Sequence, residues 1–413
     1  MPLTYDDALA FLFPRTTTIK FGLDTTRALL DGLGNPQNQF VSLHIGGTNG
    51  KGSVAALVAS ALREAGWTVG LYTSPHLCSF RERIVVDGIP ISESAVAMWT
   101  ERLQPELIRR EATFFETTSV IAFAEFAARG AEIGVVEVGL GGRLDSTNVL
   151  APLVSGITRI ARDHMKYLGE SLADIAREKA GIAKPGVPFI VGEEDPAVVA
   201  VLCEEARRAV EAASAGARAD IRVIPPDRRW GGALGLLGEH QRRNAVVAET
   251  MLAALPAPYR PSPGHVGRGF ATTRLPGRLQ HHGKWLFDVA HNPNGVETLV
   301  AAIGSLKPPR PLNALVSILG DKEWAEMLIM LDTVIDRGVL TMAPTAAARG
   351  WSVDWLDRWL ADQTRPPARA SWRLIPDFEE AVREVQRDAR TVLVTGSFHT
   401  VGDVMNVLGL APL

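Results

Sequence analysis

Short apolar runs alternate with longer segments of helical periodicity along most of the chain. The apolar runs, which have strand character, lie at residues 40–45, 69–72, 133–138, 154–157 and 188–191. The helical patterns lie at residues 54–65, 94–110, 117–129, 172–180, 197–213 and 244–255. Because strands that alternate with helices form parallel sheets covered by those helices, this order predicts an α/β fold. Ligands of such sheets bind at the carboxyl ends of the strands, so the loops after the strands are the places to search for chemistry.

A proline-rich stretch separates this first block from a second one. The polar stretch 214–238 predicts no defined element, and the clusters at 256–258 and 261–264 are expected to break regular structure. Alternation then resumes, with extended runs at 285–290, 312–319 and 391–395 and a helical segment at 295–306. We therefore predict a larger α/β domain over residues 1–275 and a smaller one over residues 276–413, which is reasonable for a chain of 413 residues.

Charge and cysteine content restrict the partners and the compartment. The chain has 43 Lys and Arg against 46 Asp and Glu, a formal charge of -3, so no strong field would attract nucleic acid or an anionic membrane. Small molecules are the expected partners. Cys78 and Cys203 are too few for a disulfide framework, which favours the cytoplasm. The N-terminus lacks the features of a signal peptide, and no segment is an uninterrupted membrane span.

The segment from His44 to Ser53 has the pattern of a phosphate-binding loop. It reads HIGGTNGKGS and lies between a strand-like run and an alanine-rich helical pattern. In such loops backbone N–H groups and the helix N-terminus face the phosphates, and Lys51 would supply charge to the β and γ oxygens. ATP is therefore the first ligand to consider. The spacing departs from a Walker motif, because Gly52 stands between Lys51 and the hydroxyl of Ser53, and the alternative is a glycine-rich turn without a ligand.

Glu137 places a carboxylate inside an apolar run, where an unpaired charge is costly. A magnesium ion that bridges the ATP phosphates would satisfy it, and a neighbouring Arg is the alternative partner. The run is followed by a second glycine cluster, 139–142, after which Arg143 or Asp145 could contact a substrate.

Other polar residues at strand ends each have a structural and a functional interpretation. His164 follows a strand and is usually a structural hydrogen-bonding residue there, whereas Lys179 near the end of a helix is explained by helix capping. In the second block, Asp288, His291 and Asn292 form a turn that either binds a ligand or caps backbone groups. Arg278 could hold a phosphate or form an interdomain salt bridge, and small polar groups follow the last strand at 395–399.

Taken together, these motifs resemble the folylpolyglutamate synthase/dihydrofolate synthase family of Mur-ligase-like, ATP-dependent amide ligases. The resemblance keeps motif order over nearly the whole chain and rests on GTNGKGS at 47–53, TSPHL at 73–77, EVGLGGRLD at 137–145, REKAG at 177–181, LPGR at 275–278 and DVAHNP at 288–293. The family loop has the extra glycine that departs from the Walker motif. The SPHL segment resembles the folate branch and not the cell-wall branch.

The resemblance implies a P-loop, parallel-sheet ATPase domain followed by a smaller Rossmann-like glutamate-ligase domain, with ATP and the amino acid held across the cleft. It implies two Mg²⁺ sites, one on Ser74 and Glu137 and the other on His164 and a carbamylated Lys179. The implied ATP contacts are Asn49, Gly50, Lys51, Gly52, Ser53, Asn244, Arg278 and Asp288. The implied contacts to the pterin-bearing substrate are Thr113, Phe114, Phe115, Glu116, Leu144, Asp145 and Ser146. For L-glutamate the candidates are His291 and Ser397, and Lys51, Lys179 and His291 are the candidate catalytic residues.

The expected function is ATP-dependent addition of L-glutamate to dihydropteroate and to reduced folates through an acyl phosphate, by a monomer. Three alternatives remain open at this point. The enzyme could add glutamate to folates only, it could be a cell-wall amino-acid ligase, or the chain could be a nucleotide-binding regulatory module without turnover. The SPHL segment argues against the second, and the third leaves Glu137, His164 and Lys179 without a shared purpose.

Overall fold

The strands form two separate sheets, one in each of two units of the chain. The computed structural model describes residues 2–17, 20–362 and 369–412. Unit 1 consists of Met1–His76, Phe80–Gly235 and Gln241–Thr273, and unit 2 consists of Leu77–Ser79, Leu236–His240 and Arg274–Leu413. Within the described residues, no helix combines the length and apolar character needed to cross a membrane.

The sheet of unit 1 is mainly parallel. Its strands are β1 Val41–Gly46, β2 Val69–Tyr72, β3 Ile84–Val86, β4 Ile89–Pro90, β5 Ile133–Glu137, β6 Val154–Ile157, β7 Pro188–Val191 and β8 Asp220–Val223. They lie in the order β4-β3-β2-β5-β1-β6-β7-β8, in which β3 and β4 are antiparallel additions at one edge. Strand β1 lies between β5 and β6, so the loops that follow these three strands are neighbours at the carboxyl edge.

Helices cover this sheet and bury its apolar strands. They are α1 Tyr5–Leu12, α2 Asp24–Gly32, α3 Lys51–Glu64, α4 Glu93–Arg109, α5 Phe114–Ala128, α6 Met165–Leu168, α7 Leu172–Ala180, α8 Pro196–Ala213, α9 Glu239–Ala254 and α10 Pro263–Thr272. All five residues of β5 are buried, as expected for a central parallel strand with helices on both faces. Short 3-10 helices lie at Phe13–Thr17, Pro36–Asn38, Phe80–Arg83 and Ser146–Val149.

Unit 2 has a smaller sheet of the same kind. Its strands are β9 Gln280–His282, β10 Trp285–Phe287, β11 Leu312–Val316, β12 Arg337–Leu340, β13 Ser371–Leu374 and β14 Thr391–Thr395. Their order is β13-β12-β11-β14-β10-β9, with β9 the antiparallel edge strand. The helices are α11 Pro293–Leu306, α12 Trp324–Asp332, α13 Val353–Ala361, α14 Phe378–Val385 and α15 Phe398–Val407, with a 3-10 helix at Pro344–Arg349. The predicted α/β class with parallel sheets is confirmed in both units.

Three local expectations were wrong or incomplete. The cluster at 261–264 does not only break structure, because Ser262 caps α10 through its side chain and Pro263 occupies the first turn, where a missing N–H costs nothing. The polar stretch 214–238 contains strand β8, in which Ile221 and Val223 alternate with polar residues over only four positions, too short a pattern to stand out in a polar stretch. The helical pattern at 244–255 begins five residues earlier, at Glu239.

Candidate functional site

The phosphate-loop candidate has the backbone that its glycines predict. Strand β1 ends at Gly46, and α3 begins at Lys51 after Gly50, which caps the helix with φ 92°. Gly47 has φ 134°, and a Cβ there would lie 1.9 Å from the Thr158 hydroxyl oxygen. Both positions therefore exclude ordinary side chains, and glycine at each of them allows the tight turn that connects β1 to the N-terminus of α3.

The loop is held in place by the strand-end segment that follows β6. The backbone N–H of Thr48 donates to the carbonyl of Arg159 at 2.7 Å, and that of Asn49 donates to the same oxygen at 3.3 Å. The hydroxyl of Thr48 also accepts from the N–H of Ala161 at 3.1 Å. Thr48 is thus a structural part of the loop that the sequence did not single out.

Lys51, Glu137 and Ser74 come together as the sequence motifs suggest. Lys51 Nζ donates to the Thr48 carbonyl at 3.0 Å and lies 3.8 Å from Glu137 Oε1. The other carboxylate oxygen of Glu137 accepts the backbone N–H of Ser74 at 3.1 Å, and the residue is 3% exposed. A buried carboxylate beside a serine and a phosphate-loop lysine offers the hard oxygen ligands that Mg²⁺ prefers.

Lys179 is buried against the phosphate loop and not placed at the surface as a helix cap would be. Its Nζ donates to the carbonyl of Gly47 at 2.9 Å, and the residue is 5% exposed. The pKa of Lys179 is lowered to about 7, mainly because the amine is buried and also because Lys51 is a like charge nearby. The carboxylates of Asp163 and Asp145 act in the opposite direction. The uncharged amine is therefore accessible near neutral pH, unlike that of an ordinary lysine.

His164 lies beside a carboxylate that sequence reasoning missed. It begins α6 with a left-handed backbone, φ 52°, and its Nε2 is 3.8 Å from Asp163 Oδ1. The same oxygen accepts the His164 backbone N–H at 2.9 Å. Among the described residues no group of three or more His, Cys, Asp and Glu side chains is placed to hold a metal ion.

Asn244 meets the phosphate loop from helix α9. A Cβ on Gly50 would lie 2.5 Å from Asn244 Oδ1, and the Asn244 amide nitrogen donates to Gln241 at 3.0 Å. Gly52 is less constrained, because a Cβ there would lie 3.5 Å from Glu137 Oε2, an ordinary contact. The buried Ser53 lies in the first turn of α3.

The candidate pterin contacts are largely engaged with one another. Thr113 and Glu116 form the capping box at the start of α5, with the Thr113 N–H donating to Glu116 at 2.7 Å. Phe114 is 2% exposed, whereas Phe115 is half-buried and packs against Gly139.

The three candidates after the second glycine cluster differ in exposure. Asp145 is buried and accepts the N–H of Leu140 at 2.8 Å. The Ser146 hydroxyl donates to the carbonyl of Phe115 at 3.2 Å and also lies 2.7 Å from the Ser119 hydroxyl. Leu144, by contrast, is 39% exposed. The apolar surfaces of Phe115 and Leu144 are therefore the ones that a ligand could reach directly.

In unit 2, Asp288 follows β10 and organises the surrounding backbone. Its carboxylate accepts the N–H groups of Leu279 and Ala290, both at 3.0 Å. Burial raises the pKa of Asp288, while the Arg278 guanidinium opposes that shift. Arg278 lies over the ring of Phe398, 5.2 Å from its centroid.

The two glutamate candidates lie near the carboxyl ends of β10 and β14. His291 Nδ1 donates to the carbonyl of Val289 at 2.9 Å, and its ring is 5.5 Å from that of Phe398. Ser397 is buried and caps α15, because its hydroxyl accepts the N–H of Thr400 at 3.1 Å. The same hydroxyl lies 2.7 Å from that of Thr400.

Arg83 is a buried residue of unit 1 that sequence reasoning also missed. Its Nε donates to His76 Nδ1 at 2.7 Å, and its guanidinium lies 5.1 Å from the centre of the Phe114 ring. Burial lowers the pKa of Arg83, whereas Tyr72 and Glu137 act in the opposite direction. Arg83 directly precedes the apolar strand β3, a position that gives no signal of burial.

Two family models match the chain. The Mur ligase middle domain matches residues 45–252, and the glutamate ligase domain of Mur ligases matches residues 277–398. The dihydrofolate synthase/folylpolyglutamate synthase of Bacillus subtilis is 32% identical over 97% of this chain and 98% of its own length.

Solved structures of folylpolyglutamate synthases are also similar to this chain over nearly its whole length. E. coli FolC in complex with DHPP and ADP has a TM-score of 0.83 and 30% identity, and the match covers 98% of both chains. A bifunctional folylpolyglutamate synthase/dihydrofolate synthase with Mn, AMPPNP and L-glutamate bound has a TM-score of 0.82 and 28% identity, covering 99% of this chain and 98% of that one.

Proposed function

Because the chain belongs to the folylpolyglutamate synthase/dihydrofolate synthase family of Mur ligases, which are ATP-dependent ligases, we propose that it joins L-glutamate to dihydropteroate and to reduced folates. The observation that carries this proposal is the gathering of Lys51, Glu137 and Lys179 around the 47–50 loop. A regulatory module without turnover would not need these opposed charges beside a phosphate loop.

The proposed reaction has two steps. A carboxylate oxygen of the folate precursor attacks the γ-phosphorus of ATP, which forms an acyl phosphate and releases ADP. The amine of L-glutamate then attacks the carbonyl carbon, phosphate leaves, and the amine loses a proton. The protein contributes mainly positioning and charge neutralisation, the general pattern of phosphoryl transfer.

Each group of residues has a proposed role in these steps. Asn49 to Ser53, with Asn244, Arg278 and Asp288, hold ATP, and Lys51 neutralises the γ-phosphoryl group. Phe115 and Leu144 offer the exposed apolar part of the pterin-binding set, and His291 and Ser397 bind L-glutamate. Ser74 and Glu137 fit one Mg²⁺ ion, which would supply charge neutralisation at the phosphates when bound.

A second Mg²⁺ site requires that Lys179 be carbamylated. In that reaction the uncharged Nζ attacks carbon dioxide, an N–C bond forms and a proton leaves, so the cation becomes an anionic oxygen ligand. The low pKa of Lys179, the charge of Asp163 that acts on it, and the position of His164 beside Asp163 support this proposal. We expect Lys179→Ala to lose most activity and to regain part of it with acetate or formate, as measured by ADP release. An unchanged rate in the variant would remove the carbamate from the scheme.

One experiment tests the function and its alternatives. The protein is incubated with ATP, L-glutamate and either dihydropteroate or tetrahydrofolate, and product masses are measured. Products that are one glutamate heavier with both acids support the bifunctional enzyme, whereas a product with tetrahydrofolate alone identifies a folylpolyglutamate synthase. Glutamate-independent ADP release without any product would contradict the proposal.

The charge balance and the presence of only two cysteines also support our proposal that the enzyme works in the cytoplasm on small molecules. We further propose that it acts as a monomer.

A further inference from the structure

A buried histidine lies in the strand that leads to the phosphate loop. His44 is 0% exposed in the centre of β1, where it pairs in register with Val136 of β5 and Ser155 of β6. Its Nδ1 has no hydrogen-bond partner among the described residues. An apolar side chain would avoid this unsatisfied acceptor, so the imidazole needs an explanation other than core packing.

The other ring nitrogen of His44 begins a chain of hydrogen bonds. Nε2 lies 2.8 Å from the hydroxyl of Thr147, which is itself 1% exposed. That hydroxyl donates its single proton to Asp145 Oδ1, so it must accept from His44. The histidine is therefore the neutral Nε2–H tautomer. Burial first, and the charge of Lys184 second, lower the pKa of His44 to about 3, which agrees with a neutral ring.

Asp145 extends the chain into the loop after β5. Its Oδ1 also accepts the backbone N–H of Thr147 at 3.0 Å, and its Oδ2 accepts the N–H of Leu140 at 2.8 Å. One buried carboxylate thus links the second glycine cluster, at Leu140, to the 3-10 helix that follows it, at Thr147. The cluster is closely packed, since a Cβ on Gly142 would lie 2.8 Å from the carbonyl of Lys179.

We propose that His44 is a positioning residue for the acyl substrate: through Thr147 and Asp145 it ties strand β1 to the 139–145 loop beside which that substrate binds. The strand carries the phosphate loop, and the 139–145 loop presents Leu144 and packs against Phe115. The hydrogen bonds therefore set the position of the substrate acid relative to the phosphoryl group. This inference rests on the proposed function for its substrate, but not for the hydrogen-bond chain itself.

The kinetic test uses variants that each remove a different member of the hydrogen-bond series His44–Thr147–Asp145. His44→Leu and Thr147→Val should each raise the KM for dihydropteroate about tenfold, with the KM for ATP changed less than about twofold. The double variant should be no worse than either single one, because both remove the same connection. His44→Gln, which retains an N–H donor, should recover most of the loss. Ser42→Ala is the matched control, because Ser42 is buried on the same strand but takes no part in the hydrogen bonds between His44, Thr147 and Asp145.

A second measurement does not depend on the substrate. In the wild-type protein, ¹⁵N NMR of histidine should show a buried ring that stays in the Nε2–H form at pH 5. Hydrogen exchange at the amides of Leu140 and Thr147 should be faster in His44→Leu and normal in Ser42→Ala. If the protein failed to act on folates, these two results would still support or refute the link between β1 and the loop.

Three outcomes would overturn the inference. The first is a His44→Leu enzyme in which the KM values for dihydropteroate and ATP rise by the same factor, or in which neither KM changes and only the melting temperature falls. The second is a His44→Gln enzyme as impaired as His44→Leu. The third is unchanged hydrogen exchange at Leu140 and Thr147 in His44→Leu.

Discussion

At the residue scale, Lys179 connects the electrostatics of the candidate site with stability. Its pKa falls from 10.5 to about 7 because the amine is buried and lies near Lys51. Between these two values the unfolded chain binds more protons than the folded one, so this group makes the protein more stable as pH rises through that window. Below pH 7 the amine is protonated in both states, and its burial is a constant penalty.

We therefore expect the free energy of unfolding, measured by urea titration in buffer free of carbon dioxide, to rise from pH 7 to pH 9.5. Lys179→Met should flatten this rise, because methionine fills the same space without a charge. Lys284→Met, which changes an exposed lysine of unit 2, should keep the wild-type slope. An identical slope in wild type and Lys179→Met would show that the pKa of Lys179 is not lowered.

Lys51 is the residue on which the proposed nucleotide site depends most directly. Its Nζ lies between the Thr48 carbonyl and Glu137, at the first turn of α3. Lys51→Ala should lower the rate of ADP release by about 100-fold or more, because a preorganised positive charge at the phosphoryl group is lost. Circular dichroism should remain that of the wild type. Full activity of this variant, compared with Lys284→Ala as control, would exclude the proposed site.

At the element scale, the sequence predicted those strands and helices whose pattern is local. Strands β2, β6, β7 and β14 and helix α7 have the predicted bounds, because each is a buried apolar run or an amphipathic helix. Strand β8 is a largely exposed strand of four residues, and the short alternation of Ile221 and Val223 within a polar stretch did not identify it.

For the candidate site too, the sequence identified residues in local motifs but not those whose roles depend on the folded structure. The motifs and family resemblance brought Lys51, Glu137 and Lys179 to attention, and the structure places them around one loop. Thr48, Arg83 and Asp163 were missed. Thr48 is held by Ala161, which is distant in sequence, and the burial of Arg83 and Asp163 is visible only in the folded structure. Such roles depend on tertiary contacts that neither spacing nor periodicity encodes.

Gly50 is the position at which the turn between β1 and α3 is most sensitive. Gly50→Ala should lower the free energy of unfolding by more than about 1 kcal/mol, because it adds strain at positive φ and places a Cβ 2.5 Å from Asn244 Oδ1. Gly66→Ala is the matched control, since Gly66 has the same φ of 92° and a Cβ there would meet nothing within 4 Å. Urea unfolding and ADP binding measure the difference. Equal losses in both variants would mean that the contact with Asn244 contributes nothing.

At the scale of the whole molecule, each unit has an apolar core of its own. In unit 1 one core includes Leu12, Phe123 and Val136, and another includes Ile157 and Val191. Among the described residues of unit 2, two apolar clusters include residues of β10, β11 and β14 and of the helices around them. A core mutation should therefore affect the sheet of its own unit far more than the other sheet.

Leu393, fully buried in the central strand β14, provides the test of this separation. Leu393→Ala removes apolar contacts and leaves a cavity, which costs about 2–5 kcal/mol in comparable cores. Hydrogen exchange should therefore increase in β10, β11 and β14, while β1, β5 and β6 keep wild-type protection because their cores are untouched. Leu43→Ala, at a buried position of β1, should produce the reverse pattern. If either substitution increased exchange equally in both sheets, the two units would unfold as one cooperative body, and stability could not be assigned to separate cores.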